Sequence, residues 1–353
     1  MSQPPHMIEL PKRIVVGEGI ISQLGQHVQE LFPRGSLIYV VTGQNIAQLY
    51  YKEVKQVLED SGFSVTYILA GPATVDEADR VALEVKKDRA DVLMGLGGGR
   101  SIDLAKYAAA ELGKEFISVP TAPSHDGITS PFATLKGFER PFSKIAKPPR
   151  LILLDINVLA SAPRRLASAG FGDLIGKFTA VLDWRLAHRL RGEYYGAYAA
   201  SLALMSAKHV SAYAREIGLG GREGLRALVE ALVSSGVAMC IAGSSRPASG
   251  SEHLFAHALD VVSRSPPLHG EAVGVGTIMM SYLHGLRWKR IRRLLREARA
   301  PTTAKELGVK DEEVVEALQR AASIRPERYT ILGERGLTRE AAEELALRTG
   351  VIG

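Results

Sequence analysis

Apolar residues in the first 155 positions fall in short runs, separated by stretches in which they recur three and four apart. Residues 36–42 (SLIYVVT) are apolar almost throughout and are closed by Gly43, the pattern of a strand buried on both faces of a parallel sheet. Similar runs stand at residues 8–16, 64–69, 92–95, 116–119 and 151–154. Between them, residues 20–31, 47–61, 75–88 and a segment opening at Ser101 have helical spacing. This alternation predicts βαβ units and an α/β fold with a doubly wound, mostly parallel, Rossmann-like sheet. From about residue 162 the strand runs stop. Residues 172–183, 194–216, 224–241, 252–262 and 272–286 all carry helical spacing, so an all-helical second half is expected. The boundary is placed near Ala160, giving domains 1–160 and 161–353.

The length of 353 residues favours two domains over one. A net charge of +6 suits an acidic partner without choosing between a phosphorylated metabolite, a nucleic acid and a membrane surface. Cys240 is the only cysteine, which rules out an intrachain disulfide and permits a reducing interior. The N-terminus has no apolar signal core, and no apolar run is read as long enough to span a bilayer, so a cytoplasmic enzyme is expected. Residues 287–299 (RWKRIRRLLREAR) interleave basic and aromatic residues in a way that could touch nucleic acid. Ile291, Leu294 and Leu295 nevertheless form an apolar stripe there, so a solvated face over a packed core is the better account, and no nucleic-acid partner is expected.

Four segments carry candidate chemistry. GLGGGRSID, residues 95–103, follows an apolar strand and opens a helix, where backbone N–H groups and the helix dipole can hold a pyrophosphate. It matches neither GxGxxG nor a P-loop, and a flexible turn would have the same composition. PTAPSHDGITS, residues 120–130, is dense in hydroxyls and carries Asp126 at the end of a strand, where ligands collect in open α/β sheets. FGDLIGK, residues 171–177, is read as the opening of a helix, with Asp173 in its first turn as either a dipole partner or a hard oxygen ligand. His253 and His257 share one helical face, and His269 follows sixteen residues after His253 beyond a Pro-Pro loop. Three imidazoles converging there suit Zn²⁺ or a related ion, although any one of them taken alone reads better as a core or capping histidine.

Taken together, GGGRSID, PTAPSHD, GDLIGK, SEHLFAH and HGEAV, in this order and spacing, resemble the superfamily of iron-containing alcohol dehydrogenases, glycerol dehydrogenases and dehydroquinate synthases. More narrowly they look like its archaeal sn-glycerol-1-phosphate dehydrogenase branch, and the resemblance runs over nearly the whole chain. It implies a dinucleotide-binding first domain and a second domain for metal and substrate. By position, Gly99, Arg100, Ser101, Ile102 and Asp103 would hold the pyrophosphate of NAD(P)H, and Thr121, Ala122, Pro123, Ser124 and Ser130 would line its ribose and nicotinamide. Asp173, His253 and His269 would be Zn²⁺ ligands, while Asp126 and His257 would serve substrate and catalysis, joined by Asp173. Residue 173 is Glu in the synthases, and the iron enzymes add a further His ligand, so neither pattern is matched.

The implied reaction is reduction of dihydroxyacetone phosphate, a phosphorylated triose, to sn-glycerol 1-phosphate, the backbone of archaeal ether lipids. Glycerol dehydrogenase is the alternative, and a dehydroquinate synthase-like lyase a more distant one. Arg100, His125, Lys136 and Lys144 are available for the substrate's phosphate, but the sequence places none of them. The turn after residues 36–42 reads Gly-Gln-Asn, with no acid to grip the adenosine ribose, so NADPH should be tolerated alongside NADH. A homo-oligomer is expected.

Overall fold

A computed structural model describes residues 6–136 and 141–353, with the side chains of residues 141–144, and so Lys144, outside the description. The chain divides into two compact units: Met1–Pro123 with Gly127–Ala162, and Ser124–Asp126 with Pro163–Gly353. That three residues of the hydroxyl-rich loop belong to the second unit is not foreseen by a boundary near Ala160.

In the first unit the strands are β1 (Arg13–Gly17), β2 (Leu37–Thr42), β3 (Ser64–Leu69), β4 (Val92–Gly97), β5 (Glu115–Pro120), β6 (Phe132–Lys136), β7 (Pro141–Ile145) and β8 (Leu151–Asp155). All but β6 and β7 form one six-stranded parallel sheet in the order β1-β8-β5-β4-β2-β3. Its helices are α1 (Leu24–Gln29), α2 (Gln44–Ile46), α3 (Lys52–Asp60), α4 (Val75–Lys87), α5 (Gly99–Glu111) and α6 (Ile156–Ser161). The central strands β4 and β8 are buried along their whole length, as their unbroken apolar runs require, while edge strand β3 exposes Tyr67 and Leu69. The first strand is shorter than its apolar run suggests: Met7, Ile8 and Leu10 are exposed, and pairing with β8 starts at Arg13. The antiparallel pair β6 and β7 is absent from the sequence reading because β6 buries only alternate residues, Ala133 and Leu135. Successive connections leave β2 and β4 in opposite directions, so these neighbours flank the topological switch point where α/β sheets bind ligands.

The second unit is helical: α7 (Arg164–Ile175), α8 (Lys177–Arg191), α9 (Ala197–Ala212), α10 (Ala214–Leu219), α11 (Arg222–Ala242), α12 (Ser251–Val262), α13 (His269–Leu283), α14 (Trp288–Glu297), α15 (Ala304–Leu307), α16 (Asp311–Ile324) and α17 (Arg339–Arg348). Two expectations are corrected. The helix expected at 172–183 is the end of α7 and the start of α8, meeting at Gly176, so Asp173 lies in the last turn of a helix and not in its first. Pro163, at the N-cap, starts α7 eight residues earlier than the apolar periodicity indicates. Second, α11 is long and apolar enough to cross a membrane by length and composition, although 67% of its apolar window is buried inside the protein. It packs against α9 and α7 as a core helix. In α14 the stripe Ile291, Leu294 and Leu295 is buried beneath the basic face.

Candidate active site

Helix α13 packs on both α7 and α12, and α7, α12 and α13 carry Asp173, His253 and His269 respectively. Each offers one ligand atom, and these atoms all lie within 4.8 Å of one another. Donors at about 2.0–2.2 Å around a tetrahedral zinc ion stand roughly 3.4 Å apart, so small side-chain rotations suffice to close this set. The His253 and His269 rings are centred 5.1 Å apart, and His257 lies 5.3 Å from His269. His257, Asp260 and His269 make a second grouping of donors, but its carboxylate is only partly buried.

The surroundings of His253 favour the first set. Glu252 is fully buried and accepts from the Gly250 N–H at 2.6 Å and the Thr179 hydroxyl at 2.6 Å, and its Oε1 lies 2.8 Å from His253 Nδ1. With Nδ1–H donated to Glu252, Nε2 presents a lone pair toward Asp173 Oδ1, 3.3 Å away. Two acceptors facing each other in a buried site need a cation between them, and a divalent ion fits this donor set. In its absence a proton serves: burial pushes His253 down, but the hydrogen bonds with Asp173 and Glu252 outweigh it and the pKa is raised.

Asp173 sits at the negative end of the α7 dipole, an unfavourable place for a carboxylate. Lys177, one turn on, compensates. Fully buried, its ammonium donates to the Asp173 carbonyl at 2.9 Å and lies 3.3 Å from Asp173 Oδ1 and 2.9 Å from Asp126 Oδ2. Burial works against both charges, yet the pairing wins: Lys177 is raised, and Asp173 is held well below the usual carboxylate range by Lys177, His253 and His269. Asp126 is fixed further by the Ser235 hydroxyl at 2.7 Å, and its own N–H donates to Asp173 Oδ2 at 3.1 Å.

His257 is buried, and its Nδ1 has no hydrogen-bond partner among the described residues. Burial, then the charges of His269, Arg325, His253 and Arg328, press its pKa well below the ordinary value, so the ring is neutral. His269 is likewise lowered to about 3, by burial first and the His253 charge second.

The glycine-rich turn of the first unit has the features of an anion cradle. No side chain caps α5, so the N–H groups of its first turn are open to a ligand. A β-carbon on Gly95 would lie 3.0 Å from Ile102 Cα, which is close packing of helix on strand, while one on Gly98 would meet nothing within 4 Å. Ser101, Ile102 and Asp103 are buried in the first turns of α5, and Asp103 lies 3.5 Å from Lys106. Lys106 in turn holds the Gly127 and Phe132 carbonyls. Thr121, Ala122 and Pro123 follow β5, with the Thr121 N–H on the Gly97 carbonyl at 3.0 Å, and Ser130 is buried beside β6. Ser124 belongs to the second unit. The Arg100 guanidinium reaches to 2.8 Å from where a Gly43 β-carbon would stand, at the end of β2.

Asp126, Asp173, His253, His257 and His269 thus come together within the second unit. Glu252, Lys177 and Ser235 are missed by the sequence reading. Lys177 had a usable signal, since its spacing of four from Asp173 puts it on the same face.

Residues 15–163 match the family described as iron-containing alcohol dehydrogenase. The chain is 63% identical over 347 residues to a glycerol-1-phosphate dehydrogenase (NAD(P)+) of Aeropyrum pernix, covering 98% of this chain and 99% of that protein. It is 57% identical to the protein of the same name from Hyperthermus butylicus, over 99% of each. Among solved structures, glycerol dehydrogenase from Schizosaccharomyces pombe superposes with a TM-score of 0.82 at 21% identity, covering 98% of this chain and 91% of that one, a likeness of fold.

Proposed function

Because the chain belongs to the glycerol-1-phosphate dehydrogenase family, we propose that it reduces dihydroxyacetone phosphate to sn-glycerol 1-phosphate with NADH or NADPH, in a zinc-dependent and reversible hydride transfer. The product supplies the backbone of archaeal ether lipids. The observation that carries the reading is the meeting of Asp173, His253 and His269 within 4.8 Å in a chain so close to proteins of that name.

Asp173, His253 and His269 would hold zinc, and Gly99–Asp103 with Thr121–Ser124 and Ser130 the dinucleotide. Zinc bound there supplies Lewis acidity toward the C2 carbonyl oxygen, and the reduced nicotinamide supplies the hydride. The chain's own residues do the rest. Glu252 fixes the His253 tautomer, so that Nε2 is the ligating atom. Lys177 and Ser235 both engage Asp126 Oδ2, which leaves Oδ1 to accept from a substrate hydroxyl. His257, neutral and with Nδ1 unpartnered, is an uncharged hydrogen-bonding partner for the substrate. The reading includes a cytoplasmic setting, in keeping with a single buried thiol, and a homo-oligomer, in keeping with the apolar residues Tyr198 and Met205 exposed on α9.

The test is oxidation of NADH and NADPH with dihydroxyacetone phosphate and with dihydroxyacetone, before and after chelation and zinc restoration. Turnover of the phosphorylated ketone that is lost with chelator and restored by zinc supports the reading. Preference for unphosphorylated dihydroxyacetone would make the chain a glycerol dehydrogenase.

A further inference from the structure

A substrate phosphate needs donors, and a cationic feature within electrostatic reach of His257 has no role in the site described so far. Arg325 closes α16, the helix packed against α12, and Arg328 follows it after Pro326 and Glu327. Arg328 donates through Nη1 to the Ser249 carbonyl at 2.6 Å and through Nη2 to the Ser245 hydroxyl at 2.8 Å. Both partners are neutral, and both lie in the segment that leads into α12. The nearby Arg246 contrasts with it: Glu193 grips that guanidinium with both carboxylate oxygens, and the Tyr329 carbonyl takes a third bond at 3.0 Å. Among the described residues Arg328 makes no ion pair with a carboxylate; Arg325 and Arg246 act on it as like charges, and Glu193 and Glu327 offset them only in part. Its pKa falls to about 9, from burial first and those charges second, which leaves it a cation at neutral pH.

A partly buried guanidinium held by neutral oxygens beside another guanidinium is a poor arrangement for stability alone. It is a good one for an anion with several oxygens, since a pre-positioned fork matches phosphate geometry. Both arginines are within electrostatic reach of His257, and so are the imidazoles of His253 and His269. His257 thus lies within electrostatic reach of the arginine pair and of the histidines of the candidate metal cluster, on a helix, α12, that packs against α16.

We propose that Arg328 and Arg325 form the subsite for the substrate's phosphate, with Arg328, anchored on Ser245 and Ser249, as its fixed donor. The inference rests on the reading that the substrate is a phosphorylated ketone, and it assigns the residues that select it over the unphosphorylated one.

The experiment compares kcat/KM for dihydroxyacetone phosphate and dihydroxyacetone in the wild-type protein, Arg328→Gln, Arg328→Lys and Arg325→Gln, with zinc content and melting temperature measured on each. Arg328→Gln is expected to lower kcat/KM for the phosphorylated ketone by about 100-fold, mostly through KM, and to collapse the ratio between the two substrates. Arg328→Lys recovers part of that loss. Inorganic phosphate, competitive with dihydroxyacetone phosphate in the wild type, inhibits Arg328→Gln far less. Parallel losses with both ketones, or an intact ratio, overturn the subsite alone. Should Arg328→Gln fail to fold, an intact ratio in both Arg328→Lys and Arg325→Gln overturns it equally. A wild-type protein that does not prefer the phosphorylated ketone overturns the functional reading and the subsite with it.

Discussion

Gly172 and Gly270 meet backbone to backbone, so that a β-carbon on Gly172 would lie 2.2 Å from the Gly270 carbonyl oxygen. On the other side a β-carbon on Gly270 would lie 2.0 Å from the Ala169 carbonyl oxygen. Each glycine is the chain neighbour of a proposed ligand, Asp173 or His269. The crossing of α7 and α13 at bare backbone brings a short carboxylate and an imidazole close enough that they could share one ion.

Adding a methyl group at either glycine therefore forces the helices apart. Gly270→Ala is expected to cost about 1–3 kcal/mol of stability through overpacking. It should also weaken zinc binding, because the obstacle is backbone and no side-chain rotation relieves it. Thermal unfolding with and without chelator separates the two effects. A variant with wild-type zinc affinity would show that the crossing does not set the ligand spacing.

Glu252 touches no substrate in the reading above, yet it governs how His253 presents itself. Glu252→Gln keeps the shape and removes the charge that fixes the Nδ1–H tautomer. Zinc affinity, measured by competition with a chromophoric chelator, should fall by roughly 10–100-fold. Unchanged affinity would mean that Asp173 and His269 orient the ring without help.

Much of this is legible in the sequence, and the exceptions have physical causes. Strands buried on both faces announce themselves as continuous apolar runs, which is why β2, β4, β5 and β8 are readable. The β6 strand buries one face and adjoins residues of mixed character, so period-two alternation over five positions does not stand out. His253, His257 and His269 are visible as a spacing, and only packing shows which carboxylate joins them. Asp173 illustrates the limit. Residues 171–177 look like a helix start, but α7 begins earlier: after the exposed Arg164 and Arg165 it continues through small buried residues, Ser168, Ala169 and Gly170, and so short a stretch shows no amphipathic period. Glu252 is adjacent to His253 in the chain, where side chains on a helix do not ordinarily face each other, so spacing hides the contact that geometry reveals. The arginines at 325 and 328 lie some seventy residues from His257, and only the packing of α16 on α12 unites them.

Asp183 is the hinge on which the ligand helix α12 is hung. Fully buried, it accepts from the Ser251 N–H at 2.7 Å, the Ser251 hydroxyl at 2.6 Å and the Ile331 N–H at 2.7 Å, and it contacts His284 Nε2 at 3.0 Å. Asp183→Ala leaves all of these groups unsatisfied and should cost about 3–5 kcal/mol, seen as a lowered denaturant midpoint with unchanged slope. A loss below about 1 kcal/mol would mean that water replaces the carboxylate freely.

Arg100 offers a test of cofactor choice that separates two roles for one side chain. The resemblance gives it to the pyrophosphate, whereas the structure lays its guanidinium against Gly43 at the end of β2. In doubly wound folds this is where the adenosine ribose is gripped, by an acid in NAD enzymes and beside an arginine in NADP enzymes. No acid stands at Thr42, Gly43, Gln44 or Asn45, so a 2′-phosphate there would meet a cation and no carboxylate from that turn. A charge-assisted hydrogen bond to that phosphate is worth about 1.5–3 kcal/mol, or roughly 10–150-fold in binding. Arg100→Ala should thus lower kcat/KM with NADPH by that factor and leave NADH within about threefold, shifting preference toward NADH. Equal losses with both cofactors would return Arg100 to the pyrophosphate, since that group is common to the two. Gly43→Ala provides the converse arm: a methyl group there pushes the guanidinium away, and kcat/KM with NADPH should fall relative to that with NADH with Arg100 still present.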